Sequence, residues 1–415
     1  MEIRSLTCFL EQTWPLSQRL LARAGALGQA ARESFAQAGL AVQSIRVATQ
    51  PFPQLLRGRP PQTAVHLGRS LEAACQAHSV DYCSLGPVLA QHSGAEAACW
   101  IEVVPHLIQA TESIFASVQV ATREAGIAPP AIELAAWAIK RISERTEQGF
   151  GNLRFAALAN CPPGSPFFPV AYHGGGPPTF AIATESADLA VTAFADAEDW
   201  RDGRERLIEA VESHARRIAA VAQALASEHG FRFGGIDFSL APFPVVEKSI
   251  GEAIERLTGE RFGERGTLFA VATLSHCLRV ARYQRCGFSE VMLPVLEDAV
   301  LARRSVERTY TLDSLLLYSA VCGTGLDTIP LPGEVSEAQL AGILLDLATL
   351  AVSLDKPLTA RLMPIPGKAA GDLTDFGFSY FAPGSAFEPL SQSRPRVVER
   401  LASCHPFRIQ ECAQR

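Results

Sequence analysis

RERLIEAVESHARRIAAVAQALASEHG, residues 204–230, runs directly into FRFGGIDFSLAPFP, residues 231–244. In the first part Leu207, Val211, Ile218, Ala222 and Leu225 recur at helical spacing and mark one apolar stripe, so a helix is expected over 204–229. Asp202 with Glu205 three residues on reads as a capping box at its start, and Gly230 ends it. Phe233 to Phe238 then changes to a β-favouring run that stops at Pro242. A long amphipathic helix feeding a buried strand is the repeating unit of an α/β protein.

The same unit recurs on both sides. Helical patterns are expected at Leu16–Ala38, His106–Glu124, Ala131–Glu147, Val246–Thr258, Thr267–Val280 and Glu337–Leu354. Between them lie β-favouring runs at Val42–Ala48, Val80–Ser84, Leu153–Leu158, Phe180–Ala183, Leu189–Phe194 and Leu358–Met363. Several of these runs are too apolar to have one wet face, which favours a mostly parallel sheet covered by helices. A barrel and an open sheet both satisfy this pattern. No low-complexity stretch, charge block or long linker divides residues 1–415, so a single domain is expected.

Composition agrees with that reading. The 415 residues are 48% hydrophobic and 19% charged, enough to bury a large core. A net charge of −6, without a basic tract, argues against nucleic acid or an anionic membrane as the main partner. The stretch Leu340–Leu354 is interrupted by Asp346 and is shorter than the roughly 20 residues that cross a bilayer. Met1–Leu10 has no long apolar run of the secretory type, and the ten cysteines contain no C-x-x-C pair, so reduced thiols in the cytoplasm are expected. Long apolar helices leave room for a homodimer.

Four segments could carry chemistry. In Pro169-Val-Ala-Tyr-His173-Gly174-Gly175-Gly176, consecutive glycines can turn amides toward an anion and His173 can move a proton, or the segment is a surface turn. The chain has no Gly-x-Ser-x-Gly elbow, so a serine hydrolase is not indicated. Asp237 and Ser239 stand at the carboxyl end of a strand, where α/β folds gather ligands, although Asp237 could equally pin its own loop. In Val321-Cys322-Gly323-Thr-Gly325-Leu-Asp327, flanking glycines could expose a thiol, or Cys322 is a small buried hydrophobe. Thr328 replaces the third glycine of a dinucleotide fingerprint. Arg361 lies inside an apolar strand and needs a partner, and Lys368 follows in a Gly367-Lys368 loop that lacks a Walker glycine at Leu362. Glu297 and Asp298 add carboxylates that could simply begin a helix. No H-E-x-x-H occurs and no metal or cofactor is implied.

Read together, Phe167-Phe-Pro-Val-Ala-Tyr-His173-Gly174, Phe233-Gly-Gly-Ile-Asp237-Phe-Ser239-Leu-Ala-Pro242, Gly287-Phe-Ser-Glu-Val-Met-Leu-Pro294-Val-Leu-Glu297-Asp298, Val321-Cys322-Gly-Thr-Gly325-Leu-Asp327 and Pro364-Ile-Pro-Gly367-Lys368-Ala-Ala-Gly371-Asp372 resemble the family catalogued as domain of unknown function 711, or uncharacterised protein family 0210. The resemblance spans most of the chain and leaves a variable tail from about residue 385. It implies a ten-stranded β/α barrel with helices outside, similar to pyruvate formate-lyase and other glycyl radical enzymes, in which a loop like that of Cys322 carries a thiol toward the centre. The segment Arg394-Pro-Arg-Val-Val-Glu-Arg400 has no glycine of the radical type, so polar chemistry is expected in place of radical chemistry.

The function expected from these residues is an enzyme for a small carboxylate or phosphate, of lyase, isomerase or acyl-transfer type. His173 would shuttle protons and Cys322 could act as a nucleophile. Asp237 and Glu297 would orient the imidazole or the substrate. Anion and substrate contacts would come from Gly174, Gly175, Gly176, Ser239, Gly323, Gly325, Asp327, Arg361 and Lys368. A non-catalytic binding or regulatory protein is the alternative, and a metal-dependent hydrolase using Asp237, Glu297 and Asp327 is a third.

Overall fold

Ten strands make one large mixed sheet in the computed structural model, which describes residues 1–389, 396–401, 404 and 406–409, with the side chains of 91–95, 396, 398 and 399 left aside. The strands are β1 (Glu2–Leu10), β2 (Val42–Thr49), β3 (Tyr82–Leu89), β4 (Ile114–Thr122), β5 (Gly126–Ile127), β6 (Phe155–Ala159), β7 (Thr179–Glu185), β8 (Arg232–Ala241), β9 (Gly325–Pro332) and β10 (Leu358–Ile365). Their order is β8-β7-β1-β2-β3-β4-β6-β10-β9, with short β5 beside β4. β1, β2, β3, β4 and β6 are parallel to one another. β7 joins β1 antiparallel and carries β8, while β10 joins β6 antiparallel and carries β9.

Helices such as Gln18–Gln37, Thr63–Ala77, Pro129–Arg145 and Trp200–His229 connect the parallel strands, as same-direction neighbours require. Alternation along each strand separates two faces. Leu6, Cys8 and Leu10 of β1, Ile45 and Val47 of β2, and Ile236, Phe238 and Leu240 of β8 pack with the helices in the main core. The other face carries Ser5, Thr7, Ser44, Arg46, Asp237 and Ser239 among small residues. It is covered by the loop that follows β6. Phe168 and Ala171 pack there on Phe9, Ala48 and Ala181, and Cys161 and Val170 pack on Ala156 and Leu158.

The expected closed ten-stranded ring is not seen among the described residues: the sheet has ten strands, and its strand pairing ends at β8 and β9. The stretch between them, residues 284–295, makes only isolated bridges, Ile236 with Arg285, Leu240 with Val291 and Pro294 with Asp327. Gly287 and Ser289 have φ of +60° and +49°, and Pro294 lacks an amide hydrogen, so this stretch cannot hold a regular ladder.

Local expectations met several different outcomes. The helix over 204–229 starts earlier, at Trp200, because Asp199 rather than Asp202 accepts the amides of Arg201 and Asp202. Gly230 ends it in the left-handed conformation at φ +67°. Most of His106–Glu124 is not helical: a helix ends at Gln109 and Ile114–Thr122 forms fully buried β4, where β-branched and aromatic residues suit a strand lying between two neighbours. Leu189–Phe194 belongs to the helix Ala187–Ala195, favoured by its alanines and packed on the helix Ile250–Thr258. Besides β4, the strands β1, β5 and β9 were not expected. Part of the tail, including Cys412, lies outside the described residues.

Candidate functional site

The polar face of the sheet and the loop after β6 enclose a cavity of about 180 Å³. Its walls take Arg4 and Ser5 from β1, Arg46 from β2, Tyr82 from β3, Phe115 from β4, Asp237 and Ser239 from β8, Asp327 from β9 and Arg361 from β10. Phe167 and Phe168 of the loop supply apolar surface, and Phe378 with Tyr380 reach in from the segment after β10. Period-two alternation explains the convergence, because inward positions of neighbouring strands share one face.

An ion-pair network fills one side. Arg361 donates from Nε to Asp327 Oδ1 at 2.6 Å and from Nη2 to Glu297 Oε1 at 2.9 Å. The other oxygen of Glu297 accepts from Arg4, which also lies 3.6 Å from Glu185. Lys248 and Gln43 complete the partners of Glu185 at 3.0 and 2.8 Å. Burial would raise Glu297, but the charges of Arg4 and Arg361 outweigh it and hold its carboxyl below the usual value. Burial pushes Asp327 up, against the pull of Arg361 and with the added push of Glu297. The two acids therefore share one guanidinium and are displaced in opposite directions.

Arg46 stands apart from this network. Its Nε donates to Ser44 Oγ at 2.9 Å, and no ion pair or further hydrogen bond engages it among the described residues. Its guanidinium lies over Phe168 and Tyr82, 5.1 and 5.7 Å from their ring centres. Burial, with the nearby charge of Arg4, lowers its pKa to about 10, so it is still a cation at neutral pH. Ser5 Oγ on the adjacent strand is buried without a partner among the described residues. An unpaired cation and an orphan hydroxyl in an aromatic cavity can together receive an anion.

Asp237 is held by donors on the protein itself. Its oxygens accept from Ser239 Oγ at 2.5 Å, Ser289 N at 2.8 Å and Phe288 N at 3.0 Å, while burial raises its pKa. A side chain at Gly287 would lie 2.0 Å from Asp237 Oδ2, so that glycine permits the close approach. Asp298 caps the helix Ala299–Glu307 through Val300 and Leu301 and also accepts from Ser249 Oγ and Ile250 N of the neighbouring helix start. Thr328, next to Asp327, is fully buried at φ +45°, an unfavourable region for a β-branched residue.

The structure thus brings Asp237, Ser239, Glu297, Asp327 and Arg361 to one cavity, and places the remaining named residues elsewhere. Cys322 is fully buried in the main core, and burial raises its thiol. The amide of His173 donates to Thr49 O at the far end of β2, three residues or roughly 10 Å along the strand from Arg46. Gly174, Gly175 and Gly176 are exposed beside it. Gly323 donates to Val291 O, Gly325 begins β9, and Lys368 lies beyond the end of β10 with its carbonyl on Gly333. Sequence reasoning missed Arg4, Arg46 and the aromatic walls. The signal was present, since Arg46 interrupts an apolar strand just as Arg361 does. Asp237, Glu297 and Asp327 share the cavity, yet no group of three His, Cys, Asp or Glu side chains among the described residues is placed to hold a metal ion.

Fold and site together define an α/β protein with a ligand-sized cavity on the polar face of its sheet. The chain belongs to the DUF711 family, whose model, described as "Uncharacterised ACR", matches residues 1–385. It is similar to a UPF0210 protein of Pyrobaculum arsenaticum, 32% identical over 376 residues that cover 88% of this chain and 83% of the relative. Similar too are a UPF0210 protein of Methanopyrus kandleri, 30% identical with 87% and 82% covered, and one of Desulforudis audaxviator, 31% identical with 85% and 81% covered. No helix of the described residues is long and apolar enough to cross a membrane.

Proposed function

We propose that this protein is an enzyme acting on a small carboxylate- or phosphate-bearing molecule by polar acid/base chemistry in the cavity. Arg46 holds the anionic group. Asp327, raised by burial and bonded through Oδ1 alone among the described residues, takes or gives the proton, and Glu297 with Arg361 fixes its position. One observation carries this reading: two buried acids bonded to a shared guanidinium and facing the same cavity as Arg46, which has no ion-pair partner among the described residues. A closed, pyruvate formate-lyase-like ring, in which residues 284–295 join the nine strands of the path from β8 to β9 as an irregular tenth stave, with β5 outside the ring, is part of the same proposal. It is supported by Ile236 N on Gln284 O at 2.8 Å and Val295 N on Asp327 O at 3.1 Å.

The test has two stages. Small carboxylates and phosphates are screened for a rise in unfolding temperature, which Arg46→Met should remove. Each binder is then incubated in heavy water and followed by proton NMR. Conversion or solvent exchange in the wild type, lost in Asp327→Asn while binding persists, supports an enzyme. Binding without either change would make the protein a binding module, a reading favoured by the placement of Cys322 and His173 away from the cavity.

A further inference from the structure

Three arginines line the cavity, and their commitments differ. Arg4 and Arg361 are spent on Glu185, Glu297 and Asp327. Arg46 alone keeps Nη1 and Nη2 without an acceptor among the described residues, because its Nε bond to Ser44 leaves the outer edge of the guanidinium bare. The site therefore has free donors for one negative charge. A second charge on the ligand would meet Glu297 and Asp327, which already crowd the same space.

Ser5 supplies a second, independent sign of a ligand. Its side chain is 0% exposed, lines the cavity and has no hydrogen-bond partner among the described residues. Ser5 pairs with Ser44 in register, and Thr7 with Arg46, so Ser5 and Arg46 face inward from adjacent strands two positions apart. A carboxylate between them can take two N–H donors from Arg46 and the hydroxyl of Ser5.

Aromatic rings form a further part of the wall, beside polar groups that include Gln43, Thr184, Asp237 and Ser239. Phe115 meets Phe168 at 5.1 Å and Tyr82 at 5.7 Å, both edge to face. Phe378 and Tyr380, 5.4 Å apart, bring two further rings in from the segment after β10. At roughly 10–15 Å³ per water-sized site, a cavity of about 180 Å³ holds a ligand on the order of ten non-hydrogen atoms. A ring of that size finds edges and faces to pack against.

Resting on the anion-binding reading above, we infer that the ligand of this site is a small aromatic monocarboxylate, its carboxylate on Arg46 and Ser5 and its ring among Phe115, Phe168 and Phe378. The class excludes phosphate monoesters, which carry a second charge, and short aliphatic acids, which leave the aromatic space unfilled.

Titration calorimetry of the full chain with benzoate, acetate, benzamide and phenyl phosphate tests this. Benzoate should bind at least about tenfold more tightly than each of the others. Arg46→Met should weaken benzoate at least about tenfold, with the unfolding temperature retained. Phe378→Ala, on a half-exposed segment outside the core, should reduce the preference of benzoate over acetate and stands in if Arg46→Met does not fold. Equal binding of benzamide, equal binding of acetate, or tighter binding of phenyl phosphate overturns the monocarboxylate class while leaving an anion site in place. No binding by any anion, inorganic phosphate included, overturns the proposed function as well.

Discussion

Arg361 Nε donates to Asp327 Oδ1 at 2.6 Å across the parallel pair β10 and β9, and both side chains are almost fully buried. The same guanidinium also serves Glu297, so one cation offsets two acids in a low-dielectric space. The pair is costly to break, because either partner alone would be a buried, uncompensated charge. Arg361→Met should destabilise the fold by about 3–5 kcal/mol, read by urea denaturation. Adding Asp327→Asn should recover part of that loss, and complete independence of the two substitutions would show that the contact does not couple them.

Glu297 is expected to act as a gate on charge. Glu297→Gln removes one negative charge from the cavity and frees donors on Arg4 and Arg361. Affinity for inorganic phosphate should rise by at least about tenfold, measured by calorimetry at low salt. An unchanged affinity would mean that Glu297 does not face the bound anion.

Cys322 is expected to be unreactive in the folded protein, since it is fully buried and its thiol is raised by burial. Iodoacetamide at neutral pH should label exposed Cys99 first and reach Cys322 only on unfolding, as peptide mapping by mass spectrometry will show. Early labelling of Cys322 would return the thiol to the chemistry of the site.

His173 should tie stability to pH. Its imidazole is buried with Nε2 unpartnered among the described residues, and burial lowers its pKa. The unfolded chain therefore binds this proton more readily than the folded one. The contribution is complete above the unfolded value of about 6.5 and is lost as pH falls through the lower folded value. Between pH 7 and pH 5, wild type should lose stability relative to His173→Asn, by at most about 1.4 kcal/mol per pH unit. A difference that stays flat across urea melts at these pH values would remove His173 as the cause. His214, lowered as well, is present in both proteins and cancels.

Much of the site was legible one residue at a time. Arg361 announced itself as a cation inside an apolar strand, and Asp237 and Ser239 as polar residues on alternate positions of β8. Arg46 carries the same mark in Val42–Thr49. What could not be read was which polar residues point into one space. That depends on strand order: β1 and β2 bring Arg4 and Arg46 to the cavity that Glu297 also lines, while β7 joins β1 antiparallel and carries β8 with Asp237.

By itself the sequence determined the α/β class, the long helix before β8 with its glycine stop, and the alternation that makes one face of the sheet polar, since helical and strand periods are local properties of side-chain order. Only the tertiary structure decided that the thiol and the imidazole lie apart from the carboxylates, and that Arg46, of the three arginines lining the cavity, has no ion-pair partner among the described residues. Pairing is a contest among charges brought together from distant parts of the chain, and its outcome is set by distances of a few ångströms that no local pattern encodes.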